Sequence, residues 1–180
     1  MSLELLDLDA ATRVHMRAEL ERDMESGNLY LSRYLSEAGR TRYPGLLQEA
    51  LETGDDETLS VALSEQGLFL ESYERRKPRG GITIARVPYT APLTLAEGEF
   101  NRFFLRGLCL RAQAEGPANM IEIYRARPST NPRSASEAMI GVKLPPDALL
   151  ADLRNSIGVD TALKLPPGPN SGLSGRLVYG

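Results

Sequence analysis

Hydrophobic residues recur at helical spacing through the first part of the chain and predict a series of amphipathic helices. Asp9 is a suitable N-cap for a helix over about residues 9–25, which ends near Gly27. The same spacing continues from Leu29 to Gly39, and we expect Gly39 to be the C-cap of a second helix.

Two more helices are expected before the pattern changes. Pro44 suits the first turn of a third helix, which ends at Gly54. Asp55 or Asp56 can begin a fourth helix, which ends at Gly67. The front of the chain is therefore predicted to be a helical cluster.

After Gly67 the pattern indicates strands and one strong helix. Residues 82–87 alternate apolar with polar or small side chains, which predicts a half-buried strand. Thr94 and Glu97 fit a capping box at the start of a helix that ends at Gly116. The apolar face of this helix carries three aromatic residues: Phe100, Phe103 and Phe104.

The last third of the chain has weaker signals. A strand is predicted over 120–124, and it would follow the preceding helix as a right-handed crossover if it paired in parallel with the first strand. A short strand is expected within 138–144, and Pro146 begins a helix. The fold class is α+β: an acidic N-terminal helical cluster, a small mixed sheet with one central amphipathic helix, and an irregular Pro/Gly-rich C-terminal arm over 166–180.

Length and composition favour one compact domain over residues 1–180. The chain has 180 residues, of which 42% are hydrophobic and 25% charged, which is typical of a globular protein. One Cys excludes a disulfide within the chain, and the N-terminus lacks a signal-peptide pattern. No apolar run is long enough to span a membrane, so we expect a cytoplasmic protein with no membrane contact.

The charge is distributed unevenly. Residues 1–74 contain 6 basic against 16 acidic residues and thus a net charge of −10, whereas residues 75–180 contain 15 basic against 8 acidic residues and thus +7. The chain could therefore consist of an acidic helical subdomain (1–74), a basic α/β subdomain (75–165) and the arm. Such asymmetry points to a charged partner surface.

The sequence lacks the usual motifs for catalysis and cofactor binding, and it predicts no cofactor, no metal and no catalytic residue. It contains no phosphate-binding loop of the Walker type, no G-x-G-x-x-G after a strand and no G-x-S-x-G. The single His15 excludes multi-histidine metal sites, although it could pair with Cys109 or a serine in space. Carboxylates at 55–57 fall where a helix begins, and capping explains them better than metal binding.

A basic loop offers the strongest binding signal. Arg75, Arg76, Lys77 and Arg79 lie in a segment rich in Pro and Gly, and Arg102 with Arg106 forms a polar stripe on the predicted central helix. If the loop covered that helix, these six residues would form one site for a polyanion such as nucleic acid. The opposing interpretation is a solvated surface.

The apolar residues of the arm suggest assembly. They are Leu173, Leu177, Val178 and Tyr179. Such an arm could cover a neighbour's groove, or it could fold back on its own domain. Our leading hypothesis is a non-enzymatic assembly or accessory protein that self-associates, or docks on another protein, through charge-complementary surfaces. A nucleic-acid-binding module is the alternative, and an enzyme with an unrecognised site is the second alternative.

Overall fold

The computed structural model describes residues 2–157 and 171–180. In these ranges the helices are α1 (Ala10–Ser26), α2 (Glu37–Thr53), α3 (Asp56–Leu63), α4 (Ala91–Glu115), α5 (Ser134–Glu137) and α6 (Pro146–Asn155). The strands are β1 (Ser72–Arg76), β2 (Ile82–Arg86), β3 (Met120–Arg125), β4 (Lys143–Leu144) and β5 (Leu173–Val178). The α+β class predicted from the sequence is confirmed.

The two ends of α1 follow local signals. The Asp9 carboxylate accepts a hydrogen bond from the Thr12 amide at 3.0 Å, as an N-cap does. Gly27 ends the helix in the left-handed region with φ 70°, where glycine has no steric penalty. Both predictions for this helix are confirmed.

The predicted helix over residues 29–39 is wrong. The chain turns there instead, and α2 begins only after Ser36, whose hydroxyl accepts from the Gly39 amide at 3.0 Å. Gly39 is thus inside the first turn of α2 and is not a C-cap. A Cβ atom at Gly39 would lie 2.0 Å from the Leu68 carbonyl oxygen, so a glycine is needed for this close approach.

Pro44 is also placed differently from the prediction. It lies inside α2, which continues to Thr53, rather than in the first turn of a separate helix. Tyr43 and Leu47 on either side are fully buried, and this tertiary packing holds the helix through the proline. The predicted end at Gly54 is confirmed.

Helix α3 begins where the sequence predicts and ends earlier. The Thr58 amide donates to the Asp55 carboxylate at 2.8 Å, and the Asp55 amide donates to the Thr58 hydroxyl at 2.8 Å, which together form a capping box. The helix ends at Leu63, four residues before Gly67. The carboxylate of Asp55 therefore caps a helix, as expected.

The long helix α4 starts one turn earlier than predicted. Thr90 is its N-cap and Pro92 lies in the first turn, so Thr94 and Glu97 are interior positions and do not form the start. The Thr94 amide already bonds the Thr90 carbonyl at 2.8 Å. The end at Gly116 is confirmed, and the three phenylalanines of the apolar face are fully buried.

The strands form two separate antiparallel sheets. β1 pairs only with β2 in the described chain, while the second sheet has the order β4-β3-β5. The strands predicted over 82–87 and 120–124 are β2 and β3, which lie in different sheets, so they form no parallel crossover. The short strand expected within 138–144 is confined to β4, and β5 pairs with β3 along its whole length, from Met120 opposite Val178 to Arg125 opposite Leu173.

Helix α4 lies at the centre of the hydrophobic core. It packs against α1, α2, α3 and α6, and one of its faces covers β3 and β5. The buried apolar side chains form one cluster that draws on both the acidic and the basic parts of the sequence. The hairpin of β1 and β2 contributes no residue to that cluster.

Candidate docking surface

Strands β1 and β2 form a hairpin, residues 72–86, that contributes no residue to the hydrophobic core cluster. Its main contacts are between its own two strands. Five residues per strand at about 3.3 Å each give the ribbon a length of roughly 17 Å. Most of its side chains are exposed, so the hairpin is available to a partner.

The tip of the hairpin is closed by backbone hydrogen bonds. The Lys77 amide donates to the Gly81 carbonyl at 3.0 Å, and the Gly80 amide donates to the Lys77 carbonyl at 3.1 Å. Gly80 and Gly81 have φ values of 88° and 86°, which side chains at those positions would disfavour. The Gly-Gly pair therefore specifies the turn, and the basic residues on either side are held on a defined ribbon.

One face of the hairpin combines apolar and basic side chains. Because side chains alternate between faces, Ile82, Ile84 and Arg86 of β2 lie on the same side as Arg76 and Glu74 of β1. Ile82 is 60% exposed and Ile84 is 66% exposed. Two isoleucines exposed between two arginines form a small amphipathic surface.

The opposite face is anchored by aromatic contacts. The rings of Tyr34 and Tyr73 meet edge to face with centroids 4.9 Å apart, and the Arg33 guanidinium lies 4.9 Å from the centroid of each ring. Arg33 also donates to the Tyr34 hydroxyl at 3.0 Å, and this hydrogen bond lowers the pKa of Tyr34. These contacts hold the base of the hairpin against the 28–35 turn.

The basic residues of the hairpin have no carboxylate partner among the described residues. They are Arg75, Arg76, Lys77, Arg79 and Arg86. In residues 2–157 and 171–180, none of them forms an ion pair. By contrast, several arginines after the hairpin pair with carboxylates, among them Arg102, Arg106, Arg111, Arg125, Arg127, Arg154 and Arg176.

Arg102 and Arg106 do not form the exposed stripe that the sequence suggests. Arg106 is 1% exposed and binds Glu19 and Asp23 of α1, each at 2.6 Å. Arg102 is also buried, and it pairs with Glu99 at 3.4 Å. The hairpin and these two arginines are therefore not brought together into one basic patch.

The burial of Arg106 was missed in the sequence interpretation because its partners are distant in sequence. Glu19 and Asp23 are one turn apart on α1, so both carboxylates face α4 where the two helices pack. Arg154 of α6 adds a further ion pair to Glu19. The four-residue spacing of Glu19 and Asp23 is the sequence signal that could have indicated a pair of carboxylates on one helix face able to bind an arginine.

The C-terminal segment packs on its own domain. Leu173 and Leu177 are buried in the core, and the Leu177 amide donates to the Asp7 carboxylate at 2.8 Å. Val178 ends β5 half-buried, and the exposed Tyr179 donates its hydroxyl to Glu115 at 2.9 Å. The Pro/Gly-rich stretch predicted before this strand lies outside the described residues up to residue 170, and the described part resumes at Ser171.

His15 and Cys109, which the sequence allows to pair in space, lie on the neighbouring helices α1 and α4. Cys109 is buried on α4, and burial raises the pKa of its thiol well above its ordinary value, so that the thiol remains protonated at neutral pH. His15 is half-buried on α1. Within the described ranges, no group of three or more His, Cys, Asp and Glu residues is arranged to hold a metal ion.

Comparisons of the chain with family models, with curated proteins and with solved structures find no match. Among the described residues, no helix combines the length and the apolar character needed to cross a membrane.

Proposed function

We propose that this protein is a non-enzymatic assembly or accessory protein whose docking element is the β1–β2 hairpin. The observation that supports the proposal is an exposed ribbon with five cations that lack carboxylate partners in the described chain, next to two exposed isoleucines. An isolated two-stranded ribbon is only marginally stable in water, and its outer edges carry unpaired backbone groups. A docked partner would cover both.

The side chains of the hairpin suit a protein partner. Arginine and tyrosine are enriched at protein interfaces, where a central apolar patch is surrounded by polar residues. Ile82 and Ile84 supply the apolar patch, and Arg76 and Arg86 flank it. The complementary surface would be acidic with a small apolar area.

A second copy of this chain has the required charge. Residues 72–86 carry five cations and one carboxylate, Glu74, while residues 1–74 carry a net charge of −10. The helices α1–α3 expose several carboxylates from that acidic part: Glu21, Glu25, Glu37, Glu49, Glu52 and Glu57. Because donor and acceptor surfaces differ, such contacts would be head-to-tail.

Light scattering after size exclusion tests this proposal. We expect the average mass to rise with protein concentration and to fall at high salt, because exposed charges are screened. Reversing two hairpin charges, Arg76→Glu with Arg86→Glu, should return the protein to a monomer. A control with the same net charge reverses two exposed cations elsewhere, Arg40→Glu with Lys143→Glu, and should leave association unchanged.

Two outcomes would contradict the proposal. One is a monomer at every concentration and salt level. The other is equal association of the hairpin variant and its charge-matched control, which would assign any self-association to overall charge rather than to the hairpin.

Nucleic-acid binding is a second candidate, favoured by the aromatic cluster at the base of the hairpin. The Tyr34 and Tyr73 rings lie beside Arg75, and proteins that bind single strands combine exposed aromatic rings with a basic track. Fluorescence anisotropy with a labelled single-stranded oligonucleotide tests it. Replacement of three hairpin arginines, Arg75, Arg76 and Arg79, by Ala should weaken binding for all sequences and flatten its salt dependence. Unchanged binding would exclude this role for the hairpin.

A further inference from the structure

A shallow depression lies where the starts of α3 and α4 meet the N-terminal segment. Its volume is about 170 Å³, and it is lined by Ser2, Asp56, Glu57, Ser60, Val61 and Leu93. Small-molecule sites are usually about 300–1,000 Å³. The depression is therefore better matched to a protruding side chain from another protein surface than to a metabolite.

The depression has a fixed floor and an open acidic rim. The Asp56 carboxylate is buried and accepts from the Ser2 hydroxyl at 2.5 Å and from the Leu3 amide at 3.2 Å. Glu57 is exposed and forms no ion pair among the described residues. A basic side chain of another molecule that docked at the depression could therefore form an ion pair with the Glu57 carboxylate.

Apolar side chains are exposed beside that carboxylate. Val61 is 71% exposed and follows Glu57 by four residues, so both lie on one face of α3. Leu93, from the first turn of α4, is partly exposed in the same depression. The depression therefore pairs two apolar side chains with negative charge.

The exposed hairpin face has the same combination with the opposite sign. Ile82 and Ile84 correspond to Val61 and Leu93. The two arginines of this face, Arg76 and Arg86, outnumber its one carboxylate, Glu74, and correspond to the carboxylate of Glu57. Both surfaces are small and both expose their apolar residues to water. If the two surfaces docked, the exposed apolar side chains of each would be buried against the other.

We infer that the hairpin of one copy docks on the α3–α4 depression of a second copy. In this contact Ile82 and Ile84 cover Val61 and Leu93, and the hairpin arginines pair with Glu57. The inference rests on the proposed function and adds the acceptor surface, which the first set of variants does not test.

The size and symmetry of the contact predict how it behaves. One ribbon face buries less than the roughly 1,200 Å² of a standard stable interface, so association should be weak and strongly dependent on concentration. Each copy has one hairpin and one depression, so a copy that donates to one neighbour can accept from another. The expected products are a twofold dimer in which each copy donates its hairpin to the other, or rings and chains of copies joined head to tail.

A charge swap tests the pairing directly. Glu57→Arg alone should weaken association about tenfold or more, as should the hairpin double variant Arg76→Glu with Arg86→Glu, because each places like charges opposite one another. Combining all three substitutions in one chain restores opposite charges and should restore association. An equimolar mixture of the Glu57→Arg chain and the hairpin double variant should also associate.

Two further variants separate specific docking from a general charge effect. Glu49→Arg changes the charge of an exposed position on α2 by the same amount and should neither weaken association nor rescue the hairpin variant. Val61→Asp places a carboxylate in the apolar part of the acceptor and should weaken association. Circular dichroism should be unchanged, because both positions are exposed in the monomer.

The outcomes distinguish this inference from the proposed function. If the hairpin variant dissociates while Glu57→Arg and Val61→Asp associate like the natural chain, the acceptor assignment is wrong and the docking role of the hairpin stands. If the natural chain is a monomer throughout, both are wrong. Association that disappears on nuclease treatment would show bridging by nucleic acid and would also overturn the inference.

Discussion

Two groups of arginine in the same basic part of the sequence have opposite environments. Arg106 on α4 is buried, and its guanidinium binds Glu19 and Asp23 at 2.6–2.8 Å. Arg76 on the hairpin is exposed and has no carboxylate partner in the described chain. The first group joins the acidic and basic parts within one fold, and the second leaves positive charge available at the surface.

This difference changes the interpretation of the charge asymmetry. The −10 and +7 of the two sequence segments suggested surfaces that attract another molecule. Much of that attraction is used within the chain, where Arg106, Arg111 and Arg154 pair with carboxylates of the first 23 residues. These pairs leave positive charge available for a partner on the hairpin and negative charge available on the exposed carboxylates of α1–α3.

The largest expected effect comes from removing the buried arginine. Arg106→Met leaves the buried Asp23 with only the exposed Arg22, 3.9 Å away, and breaking a buried pair costs about 3–5 kcal/mol. Urea unfolding of this variant should show that loss in the free energy of unfolding. If Glu19 and Asp23 are also replaced by Leu, both buried carboxylates that Arg106 binds are removed together with it. Part of the stability should then return. A loss below about 1 kcal/mol for the single variant would contradict the burial of this pair.

Acidification should have the next largest effect, through Glu19. Burial opposes ionisation of this carboxyl, but hydrogen bonds and charges from Arg154 and Arg106 outweigh it and lower its pKa below the ordinary 4.5. A lowered folded-state pKa contributes stability that is complete above about pH 4.5 and is lost as the pH falls through the folded value. The stability difference between the natural chain and Glu19→Gln should therefore be constant near neutral pH and shrink below pH 4.5. Urea titrations across that range measure it, and a difference that grows on acidification would contradict the ion pairs.

Local signals predicted the elements whose ends depend on neighbouring residues. Asp9 and Gly27 delimit α1 because a cap needs only adjacent backbone groups. The phenylalanines of α4 were placed in the core because their helical spacing repeats over several turns. For such features the sequence carries the physical cause within a few positions.

Features that depend on distant residues could not be predicted in this way. Gly39 resembles a C-cap in sequence, but the approach of Leu68 gives it a different role. Arg106 resembles a surface residue until α1 brings its carboxylates to it, 83 and 87 positions away. The candidate site was predicted in part: the cations of residues 75–79 are exposed, whereas the face with Ile82 and Ile84 emerges only from strand register.

The smallest effect on stability is expected at the hairpin, where the largest effect on association is proposed. Arg76→Gln and Arg79→Gln remove exposed cations that make no ion pair in the described chain, so the free energy of unfolding should change by no more than about 0.5 kcal/mol. Thermal and urea unfolding of each variant, alongside Arg106→Met, would compare the effects of the exposed and the buried arginines on the free energy of unfolding. A loss above about 1 kcal/mol at Arg76 would mean that the hairpin depends on this side chain within its own chain, since exposed ion pairs rarely contribute more. Unchanged stability together with weaker association would separate the role of the hairpin in docking from the role of α4 in folding.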